Sequence, residues 1–380
     1  MKLRDALRED NIEVNEEDWP IVDSPEFQRL RNIKQLGLSS LVYAGAEHTR
    51  FSHSLGVYDL TKDFIKSLQI TDEVKQRRLR QAALLHDIGH GPYSHVIEKV
   101  EGTIQHEKHS ERIIRELADQ GKVLESDVEP IIEYINGNRN PNIISGDIDA
   151  DRLDYLKRDS HRSGVNHGYI DYATIIDSAE LTTNDEIIFS EIAIQAIEGM
   201  LVARKNMRRS VYLHPTVRAS EKMLAEAISN CEIDTDELYS YTDDALLHQL
   251  SIDDNPKVRE LANRLKNRKL YKNAFSIRQM DNISDSEINK LETHIKENAN
   301  LPSNEIFTDK YQLPKSDLNV KINVKQTAQN RDIFHFDEVS NIKSLIENSG
   351  YSIQFSVYVP EEHKEYVNEI CTEFIKNEVN

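Results

Sequence analysis

Residues 84–95 read LLHDIGHGPYSH, packing three histidines and an aspartate directly against the apolar run AALL (82–85). Upstream, HTRFSHSLGVYDL (48–60) sets two more histidines and an arginine at the head of an amphipathic segment. Nine of the fourteen histidines fall between residues 48 and 167, so imidazole is concentrated rather than scattered. His86 and Asp87 continue a segment expected to be buried, and a buried aspartate beside a buried histidine is costly unless a cation compensates. Imidazole nitrogen with carboxylate oxygen suits Fe, Mn, Co, Ni or Zn better than calcium. Two adjacent ligands cannot close a coordination sphere. His53 begins one helix, and GDIDADRLDYLKRD (146–159) offers Asp147, Asp149, Asp151 and Asp154 at the start of another. Periodicity places Asp151 on one face with Asp154, Tyr155 and Arg158. A capping-rich, solvated helix start accounts for the same aspartates without a metal.

The surrounding pattern is helical from DSPEFQRLRNIKQLG (23–37) to about residue 265. In SHSLGVYDLTKDFIKSL, Leu55, Leu60, Phe64 and Leu68 recur at near-helical intervals. HSERIIRELADQ and SEKMLAEAISN repeat that logic with polar caps, and EIIFS (186–190) reads as a short strand after the turn-like TTND. Residues 1–20 read as an acidic lead-in. Residues 266–315 read as a charged helical connector, with ISDSEINKLETHIKEN as its helix and LPSNE as a break. In 316–380, LNVKINVKQ and YSIQFSVYVP alternate like strands, while FDEVSNIKSLIENSG and EEHKEYVNEICTEFIKNEV read as helices. The expected fold is mainly α: a helical core over 21–265 with a small C-terminal α+β appendage.

Composition narrows the function. A net charge of −19 argues against wrapping nucleic acid non-specifically, which runs on Lys and Arg, yet leaves room for an anion in a local basic pocket. Two cysteines, Cys231 and Cys371, are too few for a disulfide framework, and no apolar run approaches the roughly 20 residues of a membrane span. A cytoplasmic location and no membrane partner are expected. ARKNMRRSVYLH (203–214) puts Arg204, Arg208 and Tyr212 at i, i+4 and i+8 of one helix, which alone also fits a solvated basic face. RRLR (77–80), His48 and His109 read as surface.

His53, His86-Asp87 and Asp151 together form the H…HD…D signature, and the chain resembles the HD-domain phosphohydrolases. DSPEFQRLRNIKQLG, HTRFSHSLGV, LLHDIGHGPYSH and IDADRLDYLKRDSH are similar, in that order, to the deoxynucleoside triphosphate triphosphohydrolases. The resemblance runs from about residue 21 to 225. It implies one divalent metal on His53, His86, Asp87 and Asp151, with Mg an option alongside substrate, and water attack at the α-phosphorus of a dNTP. It implies proton transfer by His106, with Glu98 standing where relatives often carry aspartate, and by His95. It implies phosphate contacts from Arg50, His90, His95, Arg152, Tyr155 and Arg204. It implies sugar recognition by Gln35, Leu36, Asp159 and Tyr212, the last leaving no room for a 2′-hydroxyl. Asp23, Gln28 and Arg31 match part of an activating-nucleotide site in vertebrate relatives, and a homo-oligomer is the family expectation. The rival readings are an HD phosphohydrolase for a nucleoside monophosphate, modified or cyclic nucleotide, and a protein that binds single-stranded nucleic acid or senses nucleotides.

Overall fold

The computed structural model describes residues 1–100, 102–103, 105–278, 283–302, 304–310, 322–325, 333–342 and 353–378. It is mainly α-helical, as expected. Helix Arg50–Ser67 is the spine, its Leu55, Val57, Tyr58, Leu60 and Phe64 all buried. Helices Glu73–Leu85 and Ala150–Ser163 pack along it, and Val128–Ile135 and Ile194–Met207 pack behind those two. Local chemistry sets the ends. Asp72 accepts from the amides of Val74 and Lys75, and Asp149 from that of Arg152. Gly164, at φ +70°, closes helix Ala150–Ser163. The helix expected at SEKMLAEAISN starts earlier, as Pro215–Ser229, because Pro215 supplies a first-turn residue that needs no amide and His214 caps it. Helix His106–Asp119 likewise begins three residues before the expected segment.

The lead-in is bound into this core rather than lying beside it. Lys2–Leu3 pairs antiparallel with Ile12–Glu13, and Ile12 and Val14 are buried. Asp18 is buried against Arg80 Nε at 3.0 Å, Tyr58 Oη at 2.9 Å and Gln81 Nε2 at 3.2 Å. RRLR is therefore no free surface: Arg80 grips Asp18 and Glu17, while Arg77 and Arg78 clasp the buried Asp127. Single arginines look solvated in sequence because their partners lie some fifty residues away.

Toward the C-terminus, two strands appear that carry no alternating apolar signal, Lys272–Arg278 and Phe307–Lys310. Both flank Ile353–Val359 antiparallel, with Ser276 and Asp309 each opposite Ser356. The expected connector and appendage thus share one sheet, and helices Asp285–Asn298 and Lys364–Glu378 pack with it. The chain also returns to the helical core. Strand Ile187–Ser190, paired with Ala179–Leu181, takes Asn323–Lys325 in parallel beside it, and Ile333–His335 follows. Of the helix expected over 336–350, Phe336–Val339 is helical; residues 343–350 lie outside the described residues, as do 318–321 and 326 of the first expected strand. A second packed cluster joins Leu38, Tyr93, Val96 and Ile97 to helices Pro215–Ser229 and Pro256–Lys266 and to Tyr271, Phe307 and Tyr358. Among the described residues no helix is long and apolar enough to cross a membrane.

Candidate metal centre and the cleft around it

Three of the four expected ligands converge. The Nε2 atoms of His53 and His86 stand 3.3 Å apart, and Asp151 Oδ1 lies 2.9 Å from the first and 3.8 Å from the second. Asp87 sits alongside, one oxygen 3.5 Å from His86 Nε2 and the other 3.8 Å from His53 Nε2. The outer hydrogen bonds decide what these nitrogens can do. His53 Nδ1 meets the Asp154 carboxylate at 2.9 Å, and His86 Nδ1 meets the Ala83 carbonyl at 2.8 Å. Both partners are acceptors, so each Nδ1 carries the hydrogen and each Nε2 presents a lone pair. Lone pairs aimed at one another and at a carboxylate oxygen need positive charge between them. Burial alone would lower the His53 pKa, but the bonds to Asp151 and Asp154 outweigh it and take it up to about 10. A proton there satisfies one carboxylate; a divalent cation satisfies all three donor atoms. The residues fit such an ion, of the class that takes nitrogen and oxygen ligands. His53 is 1% exposed and Asp151 33%, so the centre opens toward solvent on the Asp151 side.

Behind the ligands lies an ion network. Asp154 takes Arg158 Nε at 2.7 Å and Nη2 at 3.0 Å, while Arg8 Nη2 approaches at 3.3 Å. Arg158 Nη1 donates in turn to Asp5 at 2.8 Å, and Arg8 Nη2 to the Gly56 carbonyl at 3.0 Å. Burial opposes ionisation of Asp154, yet Arg158 and His53 hold its carboxyl well below the usual range. Gly56 is required where helix Arg50–Ser67 crosses this pair: a Cβ there would stand 2.0 Å from Asp154 Oδ1 and 2.4 Å from Arg158 Nη2. Lead-in residues thus brace His53 through Asp154 and Arg158, a contact with no signature in local sequence.

A second group adjoins the first. His90 Nε2 is 3.2 Å from Asp87 Oδ1, and its ring stacks on His106 with centroids 3.9 Å apart. Glu98 Oε1 lies 2.7 Å from His106 Nδ1 and 3.5 Å from His90 Nδ1. Burial would lower the His106 pKa, but Glu98 outweighs it and the net shift is upward. His90 moves the other way, through burial and the Arg50 charge. His95 is exposed, and desolvation by the protein around it together with the Arg50 charge lowers its pKa. The loop bearing these groups is pinned from below. Arg29 Nη2 donates to the carbonyls of His90 at 2.6 Å and Ile88 at 3.3 Å, and buried His109 Nδ1 bonds the Gly89 carbonyl at 2.9 Å. Asp243 accepts the amides of Lys34 and Tyr93, each at 2.9 Å, and burial raises its pKa to about 6.

The expected cations are partly engaged. Arg50 Nη1 bonds Asp87 Oδ2 at 2.6 Å, whereas its buried Nε has no hydrogen-bond partner among the described residues. Arg152 pairs with Asp149 at 3.0 Å. Arg204 lies close enough to act on the ionisation of both Asp149 and Tyr155. Arg208 neighbours Arg204, Tyr155 and Tyr212, although Arg208–Tyr212 forms a π-helical turn rather than continuing the α-helix. Tyr212 Oη donates to Asp159 Oδ2 at 2.7 Å, and Asp159 Oδ1 meets His48 Nε2 at 2.7 Å. His48 and His109 are both buried, contrary to their expected surface placement, because their partners lie 111 and 20 residues away. Gln35 and Leu36 lie half-buried, the Gln35 amide bonded to the His48 carbonyl, and Leu36 packs against the main core. Of the expected activator residues, Arg31 Nε donates to Gln28 Oε1 at 2.7 Å and stacks over Phe51, and Asp23 is exposed.

Residues 50–159 match the family model of the HD domain, and residues 170–379 match that of the HD associated region. A protein of Methanocaldococcus jannaschii described as uncharacterized is 35% identical over all of this chain and 82% of its own length. The deoxynucleoside triphosphate triphosphohydrolase SAMHD1 homolog of Dictyostelium discoideum is 28% identical over 69% of this chain and 58% of its own. Among solved structures, a hypothetical protein from Aquifex aeolicus superposes with a TM-score of 0.81 at 27% identity, over 97% of this chain and 99% of that one. A phosphohydrolase from Bacteroides thetaiotaomicron gives 0.77 at 26% identity, over 95% and 100%.

Proposed function

Because the chain belongs to the HD-domain family and carries its associated C-terminal region, we propose that it hydrolyses deoxynucleoside triphosphates to deoxynucleoside and inorganic triphosphate. The observation that carries the reading is the convergence of His53, His86 and Asp151 on one point with the His90–Glu98–His106 group next to it. His53, His86, Asp87 and Asp151 would hold a divalent ion, which when bound supplies Lewis-acid polarisation of a phosphate oxygen and a more acidic water.

The chain's own residues do the rest. In the reaction, water oxygen bonds to the α-phosphorus and loses a proton to solvent, the bond from that phosphorus to O5′ breaks, and O5′ leaves as a hydroxyl after taking a proton from the protein. His106, kept protonated by Glu98, holds the proton that O5′ requires. His90 buttresses His106 by stacking, and neutral His95 faces the cleft as a hydrogen-bond partner for phosphate. Arg50 keeps an unpaired buried N–H for an anionic oxygen, while Arg152, Tyr155 and Arg204 line the way out for the triphosphate. Gln35 and Asp159 read the sugar 3′-hydroxyl, and Tyr212 and Leu36 pack the ring.

The test is product analysis of metal-loaded protein with each dNTP and NTP. Intact triphosphate plus nucleoside is expected; stepwise phosphate or pyrophosphate release, or turnover confined to mono- or cyclic nucleotides, would overturn the reading. Asp87→Asn should lose both metal and turnover, measured by elemental analysis and the same assay. Salt-sensitive oligonucleotide binding without turnover would favour the nucleic-acid reading instead.

A further inference from the structure

His48 has no place in the reaction above, yet it is wholly enclosed, its side chain 0% exposed. Its ring Nε2 lies 2.7 Å from Asp159 Oδ1, and with a carboxylate as acceptor that nitrogen carries the hydrogen. Its main-chain carbonyl accepts the Gln35 amide at 3.0 Å, in the bridge that pairs Lys34 with Thr49. One residue therefore holds two groups far apart in sequence, Gln35 by backbone and Asp159 by side chain. Tyr212 Oη occupies the other Asp159 oxygen at 2.7 Å, so the carboxylate is gripped from both sides and cannot swing. The carbonyl oxygen of the Gln35 side chain is buried with no hydrogen-bond partner among the described residues. A buried acceptor left in that state is costly unless a donor arrives from outside.

We infer that His48 is a positioning residue that fixes Gln35 and Asp159 as a joint receptor for a ligand hydroxyl. The inference rests on the dNTP reading, in which that hydroxyl is the 3′-OH of the sugar. His48 Nε2 holds Asp159 in orientation, so that a free lone pair of its carboxylate and the Gln35 carbonyl share the one hydroxyl hydrogen in a three-centre bond. Among the described residues His48 pairs with none of the candidate metal ligands, so its loss should weaken binding and sugar choice without emptying the metal centre.

Steady-state kinetics of the wild type, His48→Leu, His48→Asn and His48→Gln, with a dNTP and its 2′,3′-dideoxy counterpart, test this. Losing one such positioned contact should raise KM about tenfold in His48→Leu and His48→Asn, with kcat within about threefold of wild type. The preference for the dNTP over the dideoxy compound should shrink by a similar factor. His48→Gln, whose amide reaches far enough to donate to Asp159, should recover most of both. Should the leucine variant not fold, the shorter, polar His48→Asn decides. Unchanged KM and preference in the asparagine variant overturn the inference, and so does loss of bound metal, which would place His48 in the service of the ion. A wild type that turns over no dNTP overturns the substrate reading and the sugar assignment with it. That result is read from the wild type alone and cannot be mistaken for a failure of His48.

Discussion

His106 keeps its proton to higher pH than a free imidazole because the Glu98 carboxylate stands 2.7 Å from its Nδ1. If that proton is the one delivered to O5′, activity falls on the alkaline side as pH rises through the raised His106 pKa. Replacing Glu98 by Gln removes the charge that favours imidazolium, so the alkaline limb should move to lower pH in a pH–kcat profile. His106→Ala should retain its metal and lose roughly 10²- to 10⁴-fold in rate; normal turnover would remove it from the mechanism. Of the candidate metal ligands, only His86 and Asp87 were legible from local chemistry, a buried imidazole beside a buried carboxylate; His53 and Asp151 came with the family resemblance. The partners of the cations were not legible. Nothing in HTRFSH tells that Arg50 spends one nitrogen on Asp87, and nothing in GDIDADR that Arg152 turns back to Asp149.

Helices Arg50–Ser67 and Ala150–Ser163 meet where Gly56 lies against the Asp154–Arg158 pair, and that crossing sets how His53 is aimed. Gly56→Ala should therefore cost about 3 kcal/mol in denaturant unfolding, since a rigid ion pair cannot give way to a new methyl group. It should also weaken metal binding, whereas a purely structural defect would lower stability alone. Arg8→Met tests the same brace from the lead-in, and a fall in metal affinity of about 10- to 100-fold in a cobalt titration is expected. The helices themselves were readable from 3.6-residue spacing. The strand KNAFSIR (272–278) was not, because asparagine and serine interrupt the alternation and its pairing depends on a partner about eighty residues on. The π-turn at Arg208–Tyr212 likewise leaves no mark in a spacing of four.

Across the molecule, the core does not end where its helical pattern does. Leu270, Tyr271, Phe307 and Tyr358 are buried in the same cluster as Met223, Leu224, Leu261 and Leu265. A chain stopped at residue 265 should accordingly bind a hydrophobic dye and unfold several degrees below the full chain in a thermal melt, even though every expected site residue is retained. The HD segment announced itself through four ordered motifs. In 266–380 the strand Ile353–Val359 and the helices Asp285–Asn298 and Lys364–Glu378 were legible from their spacing. The sheet that joins them was not, because Lys272–Arg278 and Phe307–Lys310 gain their meaning only from a distant partner. The shared cluster also reaches upward, for Tyr93, Val96 and Ile97 lie in it between His90, His95 and Glu98. The floor beneath the reactive loop is thus poured partly from the far end of the polypeptide. Slackening a strand there would be felt first as a tilt in the histidines above, long before the fold itself gave way.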